Sequence, residues 1–233
     1  MRRHPVLVAC AVPVLLAGCS GSEPAPVPTV APTAVPTPSE GVLTPGFDQE
    51  PDGERVPDAS LSPADITGLL RIEATSRAGR DTCTGEQLST VIDNLDAAAG
   101  HRYGRLLLTN TSDRPCSIEG YPGIGARGAW GNTLQLAAEQ REPRDGVVTP
   151  GQVMLAPGDE AVADLEWTGE LAGAESEKAS MIAVQLGRGQ DAFGIPAVAA
   201  VAADSGAQSG DSVPLDIGML TTVRIGAVHQ PPR

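Results

Sequence analysis

Cys116 is followed by glycines at 120, 123 and 125 in the stretch CSIEGYPGIG, and that spacing suggests two chemistries. One is a thiolate nucleophile beside a loop whose amides cradle a phosphate. The other is half of a disulfide at the corner of a sheet. A reactive thiolate needs a neighbour that lowers its pKa, usually a histidine, a lysine or a helix N-terminus. Beyond the first few residues the histidines are His101 and His229, and neither has the Asn or Asp context of a catalytic triad. GYPGIGARG carries no GK[ST] and opens no helix, and Pro122 interrupts the amides that a phosphate nest would use. The stretch therefore reads as a structural turn through Gly120, Tyr121, Pro122 and Gly123, with the Tyr121 ring packed against the corner.

Other constellations are thin. A zinc or copper site needs at least three convergent ligands. Met1, Met154, Met181 and Met219 are scattered, and His101, Glu86 and Glu119 would converge only by accident of the fold. Glu170, Glu175 and Glu177 sit together after Trp167, but glycoside hydrolysis needs two carboxyls across an aromatic-lined cleft. Two Trp, two Tyr and two Phe supply such a cleft poorly. DQEPDGE (48–54) lacks the spacing and closing Glu of a calcium loop, and GDEAVAD reads as a solvated edge. The expectation is no catalytic residue, no metal site and no cofactor.

The ends of the chain say more. MRRH is a positive n-region and PVLVACAVPVLLAG an apolar stretch short of the roughly 20 residues that span a bilayer. It closes on LAGC, Leu16 to Cys19, which resembles the lipobox of bacterial lipoproteins. In that family the cysteine thiol is acylated and the chain is cut just before it. The resemblance implies lipidation at Cys19 and anchoring through N-terminal acyl chains at the extracytoplasmic face of a bacterial membrane. Formal net charge is −13, and −15 once Arg2 and Arg3 leave with residues 1–18. So acidic a surface repels nucleic acid and anionic lipid heads. Cys10 leaves with the signal, Cys19 is lipidated, and Cys83 and Cys116 remain as a pair. In an oxidising space that pair is expected to form a disulfide, which chain entropy values at about 3.5–4 kcal/mol.

Residues 19–60 read as a lipidated cysteine and a Pro/Thr-rich tether with no hydrophobic period. Residues 61–79 read as one short helix or ordered lead-in, with Ser62 as N-cap, Pro63 at N1, Asp65 in the first turn and Gly79 as its end. Residues 80–230 read as strands and turns, seven or eight of them, spaced as in an antiparallel β-sandwich. In EAVADLEWTG, Ala161, Ala163, Leu165 and Trp167 share one face, and Asp164 and Glu166 the other. NTLQLAA and GQVMLA read as short strands, and NTS (110–112) as the turn after a strand. The span 189–212 reads as a long loop with a short Ala/Val helical turn.

Three stretches in order, CTGEQLS, AAGHRYGRLLLTNTSDRPCSIEGYPGI and LAPGDEAVADLEW, resemble the exported domain-of-unknown-function family 4232 of actinobacteria. The resemblance implies an immunoglobulin-like sandwich, an all-β fold behind a lipobox and tether. It places Cys83 at the first strand and Cys116 before the G-Y-P-G turn. Many members carry a further cysteine pair in the second half, and this chain has none there. The family implies no activity. The expectation is a non-enzymatic, membrane-anchored envelope lipoprotein that presents a surface to an envelope protein or ligand. The alternative is an envelope enzyme or metal-handling protein whose residues converge only in the fold. On this reading the acidic loops and residues 189–212 are where function would be sought.

Overall fold

A computed structural model describes residues 50, 53–143, 148–169, 177–200 and 211–231. The expected signal peptide, Cys19 and the expected tether as far as residue 52, Glu50 apart, lie outside the described residues, as do Glu170 and Glu175. No described helix is long and apolar enough to cross a membrane.

The lead-in is shorter as a helix than its sequence suggests. Helix α1 spans Pro63–Gly68 only. Its start is as expected: Ser62 accepts from Asp65 N, and Asp65 returns the bond to the Ser62 amide, a reciprocal cap that satisfies two otherwise orphaned donors. Gly68 and the tight turn at Leu69 stop it, and the chain then extends.

The described strands, in chain order, are β1 (Leu70–Ile72), β2 (Leu88–Ala98), β3 (His101–Asn110), β4 (Cys116–Glu119), β5 (Gly123–Gly128), β6 (Ala137–Gln140), β7 (Gln152–Leu155), β8 (Glu160–Thr168), β9 (Ala179–Gln185), β10 (Phe193–Pro196), β11 (Val198–Ala200), β12 (Ser212–Pro214) and β13 (Thr222–Ile225). That exceeds the seven or eight expected, because several are three or four residues long and show no alternation. Three expectations are corrected. Residues 189–200 contain β10 and β11 rather than a helical turn, since β9 and β2 offer them free edges. Gly123–Gly128 is a buried strand rather than the end of a turn. The strand sought in NTLQLAA is β6, shifted toward Gln140.

Two sheets form the sandwich. One has the order β1-β5-β9-β10 and the other β12-β11-β2-β3-β8-β13-β6; β4 and β7 pair separately at a corner. Pairing is antiparallel except at β11–β2 and β13–β6. Leu106, Trp167 and Ile225 from the larger sheet share one core with Ile124, Ile182 and Val184 from the smaller. Each such side chain contributes about 1.5–3 kcal/mol through burial.

The smaller sheet is covered on its other side too. Met181 and Ala183 point away from the main core and are buried by Leu61, Ile66 and Leu69 of the lead-in. The glycines of β5 make this possible. A Cβ on Gly123 would stand 2.8 Å from Ala74 N and Ile72 O, and one on Gly125 only 2.1 Å from Leu69 O. The G-x-G spacing that resembles a phosphate loop is instead a flat bed on which β1 lies.

Candidate functional site

Cys83 and Cys116 form the expected disulfide, with Cα atoms 4.9 Å apart and both residues buried. Backbone bonds fix the same crossing: Ser117 N donates to Asp81 O at 2.7 Å and Cys83 N to Ser117 O at 2.9 Å. The turn after β4 is held as tightly. Gly120 adopts φ 73°, a left-handed value that suits glycine. Tyr121 N donates to the Thr75 hydroxyl at 2.9 Å while Thr75 N donates back to Tyr121 O at 3.0 Å. Burial pushes the Tyr121 hydroxyl pKa up, and the charge of Glu142, with which it hydrogen-bonds, adds to the rise. Cys116 is thus a locked cross-link, and Gly120 to Gly123 a braced corner.

This corner borders a polar groove of about 150 Å³. Arg77 and Arg80 from the 76–82 loop line it, with Thr82, Ser117 and Gln152, and with Asp81 and Glu119 as its acids. Gln152 Nε2 donates to Ser117 Oγ at 3.2 Å, and Ser117 Oγ donates to Asp81 O at 3.3 Å, so the floor is organised. The Thr82 hydroxyl accepts from Gly79 N at 2.8 Å. Arg188 joins from the segment after β9: it bridges Arg77 in parallel, Ala78 N donating to Arg188 O at 3.0 Å and Arg188 N to Ser76 O at 2.8 Å. Arg77, Arg80 and Arg188 are exposed, and their guanidinium groups make no ion pair with the described residues.

That arrangement contrasts with the outer face of the larger sheet. Registry lines up Glu139, Arg224, Glu166, Tyr103 and Asp96 in one row across five strands. Arg224 bonds Glu139 at 2.9 Å and Glu166 at 2.5 Å. The Glu139 bond does most to hold the arginine above its usual range and its own carboxyl below the usual one. Glu166, on the face opposite Trp167 as expected, is buried, with Arg224 and His101 against its carboxylate. His101 Nδ1 lies 2.7 Å from Glu166 Oε1, an ion-pair distance without hydrogen-bond alignment. In the next row Arg105 bonds both Asp93 oxygens, at 3.0 and 2.9 Å, which raises the arginine. This face is acidic but internally paired.

The remaining sequence candidates are structural. Glu177 is buried and accepts from Trp130 N at 2.6 Å and Asn132 Nδ2 at 2.7 Å. Asn110 of the NTS triplet is buried, donating to Arg114 O and Leu155 O while its carbonyl takes the Ser112 amide and hydroxyl, so the triplet is a turn. Among the described residues, no three His, Cys, Asp or Glu side chains group as metal ligands. The loop arginines were missed by sequence reading. Their one signal was positive charge in SRAGR within an acidic chain, and whether a carboxylate reaches them is decided only by the fold.

A family model described as Domain of unknown function (DUF4232) matches residues 83–216. No curated protein and no solved structure matches the chain.

Proposed function

The chain belongs to the DUF4232 family, a domain of unknown function, and from that premise we propose that it is a lipid-anchored, non-enzymatic β-sandwich of the bacterial cell envelope that presents a binding surface. The observation that carries the anchoring is the order MRRH, apolar segment, LAGC, which ends at Cys19. Two or more acyl chains there would anchor stably, where one is marginal. Three features support the binding role. Cys83 and Cys116 are spent on a cross-link. The charged rows of the large sheet satisfy one another. The groove beside the disulfide keeps cationic side chains without partners among the described residues.

The test is cell fractionation with labelled fatty acid. The wild-type chain is expected in the membrane fraction and labelled. Cys19→Ala is expected unlabelled and released. A Cys19→Ala chain that stays in the membrane fraction would overturn the anchoring.

A further inference from the structure

We propose that the groove between the 76–82 loop and the β4–β7 corner binds a phosphodiester group through Arg77, Arg80 and Arg188. The assignment rests on reading the domain as a binding module, but not on the lipid anchor.

In a chain with 29 acids and 16 Lys+Arg, most described arginines find a carboxylate. Arg55, Arg102, Arg105, Arg114, Arg127, Arg141 and Arg224 each have one within ion-pair distance. Of the four described arginines that do not, Arg71 lies on β1 and the other three are brought to one corner. The Arg77–Arg188 bridge sets two of them side by side on adjacent backbones. Exposed like charges so placed repel weakly, and an anion between them would relieve the repulsion. The backbone bridge fixes the two positions, but nothing in the packing requires arginine at them, since the side chains are exposed.

The groove's charge selects the anion. Asp81 and Glu119 stand on its wall and balance Arg77 and Arg80, so the surplus of one positive charge comes from Arg188 on the segment bridged to Arg77 beside the groove. That surplus matches a monoanion. A phosphate dianion or a dense polyanion would meet the two carboxylates. Acceptor number favours phosphorus over carboxyl. Guanidinium forks pair with two oxygens of a carboxylate or a phosphate alike, but a phosphodiester adds two ester oxygens beside the two that share its one charge. The Thr82 hydroxyl accepts from Gly79 N and keeps its own proton to donate. The Gln152 amide and Ser117 on the floor suit a hydroxylated substituent on either side of the phosphorus. A groove of about 150 Å³ holds such a group and little more.

The experiment is amide NMR titration of the full chain with its disulfide formed, at fixed ionic strength. The probes are glycerophosphoglycerol, dihexanoyl phosphatidylglycerol below its micelle concentration, and acetate. Saturable shifts at Gly79, Thr82 and Ser117 are expected with the first two, at least about tenfold tighter than acetate. Arg77→Gln with Arg80→Gln should weaken them at least about tenfold, with amides of β3 and β8 unmoved as evidence of an intact fold. Tighter binding of the lipid probe would name a membrane phospholipid as the source, and equal binding a soluble phosphodiester. Acetate binding as tightly as glycerophosphoglycerol, or a double variant binding like the wild type, would overturn the assignment. Membrane fractionation of the same double variant reports separately on the anchor, which it should leave unchanged.

Discussion

Glu177 and Trp130 are joined by a 2.6 Å bond from the Trp130 amide to the buried carboxylate, across 47 residues of chain. The same carboxylate takes the Asn132 side chain at 2.7 Å, so one acid closes the hairpin turn after β5. Glu177→Ala would strand those half-buried donors. The expected loss is about 2–4 kcal/mol, from several unsatisfied groups at about 1–3 kcal/mol each with partial relaxation. Urea unfolding checks it: the midpoint should fall with the slope unchanged.

Asp58, in the last residues of the segment read as tether, ties that segment to the smaller sheet. It pairs with Arg55 at 2.6 Å and with the buried Arg127 of β5. Burial alone would raise the Asp58 carboxyl. The hydrogen bonds from Arg55, Ser180 and Arg127, with the charge of Arg55, outweigh it and hold the group below its ordinary value of 3.8. A depressed carboxyl stabilises the fold above its unfolded pKa, and that contribution is lost as pH falls through the folded value. Asp58→Asn should therefore cost about 1–3 kcal/mol at pH 7, and the cost should vanish in strong acid. Urea midpoints of both chains, compared across the acid range, should converge. Parallel curves would show that Asp58 does not titrate in this pairing.

Gly125 lies under β1, where a Cβ would come within 2.1 Å of Leu69 O. Gly125→Ala forces the backbone of β1 away and should cost at least about 1–3 kcal/mol, as overpacking does. Hydrogen exchange locates the effect. Amides of β1 should lose protection well before those of β3 and β8.

The Cys83–Cys116 link spans 33 positions. Replacing both cysteines by serine should cost about 3.5–4 kcal/mol in the chain-entropy picture. Thermal unfolding with and without reductant tests it: reductant should lower the wild-type midpoint and leave the double variant unmoved.

The sequence showed the sandwich wherever apolar residues recur at alternate positions toward the main core. Ala161, Ala163, Leu165 and Trp167 are inward on β8, and Ile182 and Val184 on β9. It hid the strand in which glycines take alternate positions. β5 reads GIGARG, with glycines where a neighbour presses close and Arg127 where Asp58 reaches in, so no period-two signal survives. β10 and β11 were hidden by small residues that match a loop's composition, and only the free edges of β9 and β2 decide their state. Charge was legible in sum and not in pairing. The burial of Glu166 could not be read, because its partner Arg224 lies 58 residues on. The cysteines were legible because elimination left a single pair. The arginine groove was not, because it depends on which carboxylates the fold keeps away.

The family match covers residues 83–216, yet β1 and α1 precede it and β13 follows it. β13 sits inside the larger sheet, between β8 and β6, rather than at its rim. A polypeptide trimmed to the shared family segment would split that sheet, detach β6, and uncover Met181 and Ala183 on the smaller one. The flanks of this chain thus seal surfaces that the matched residues alone would leave open.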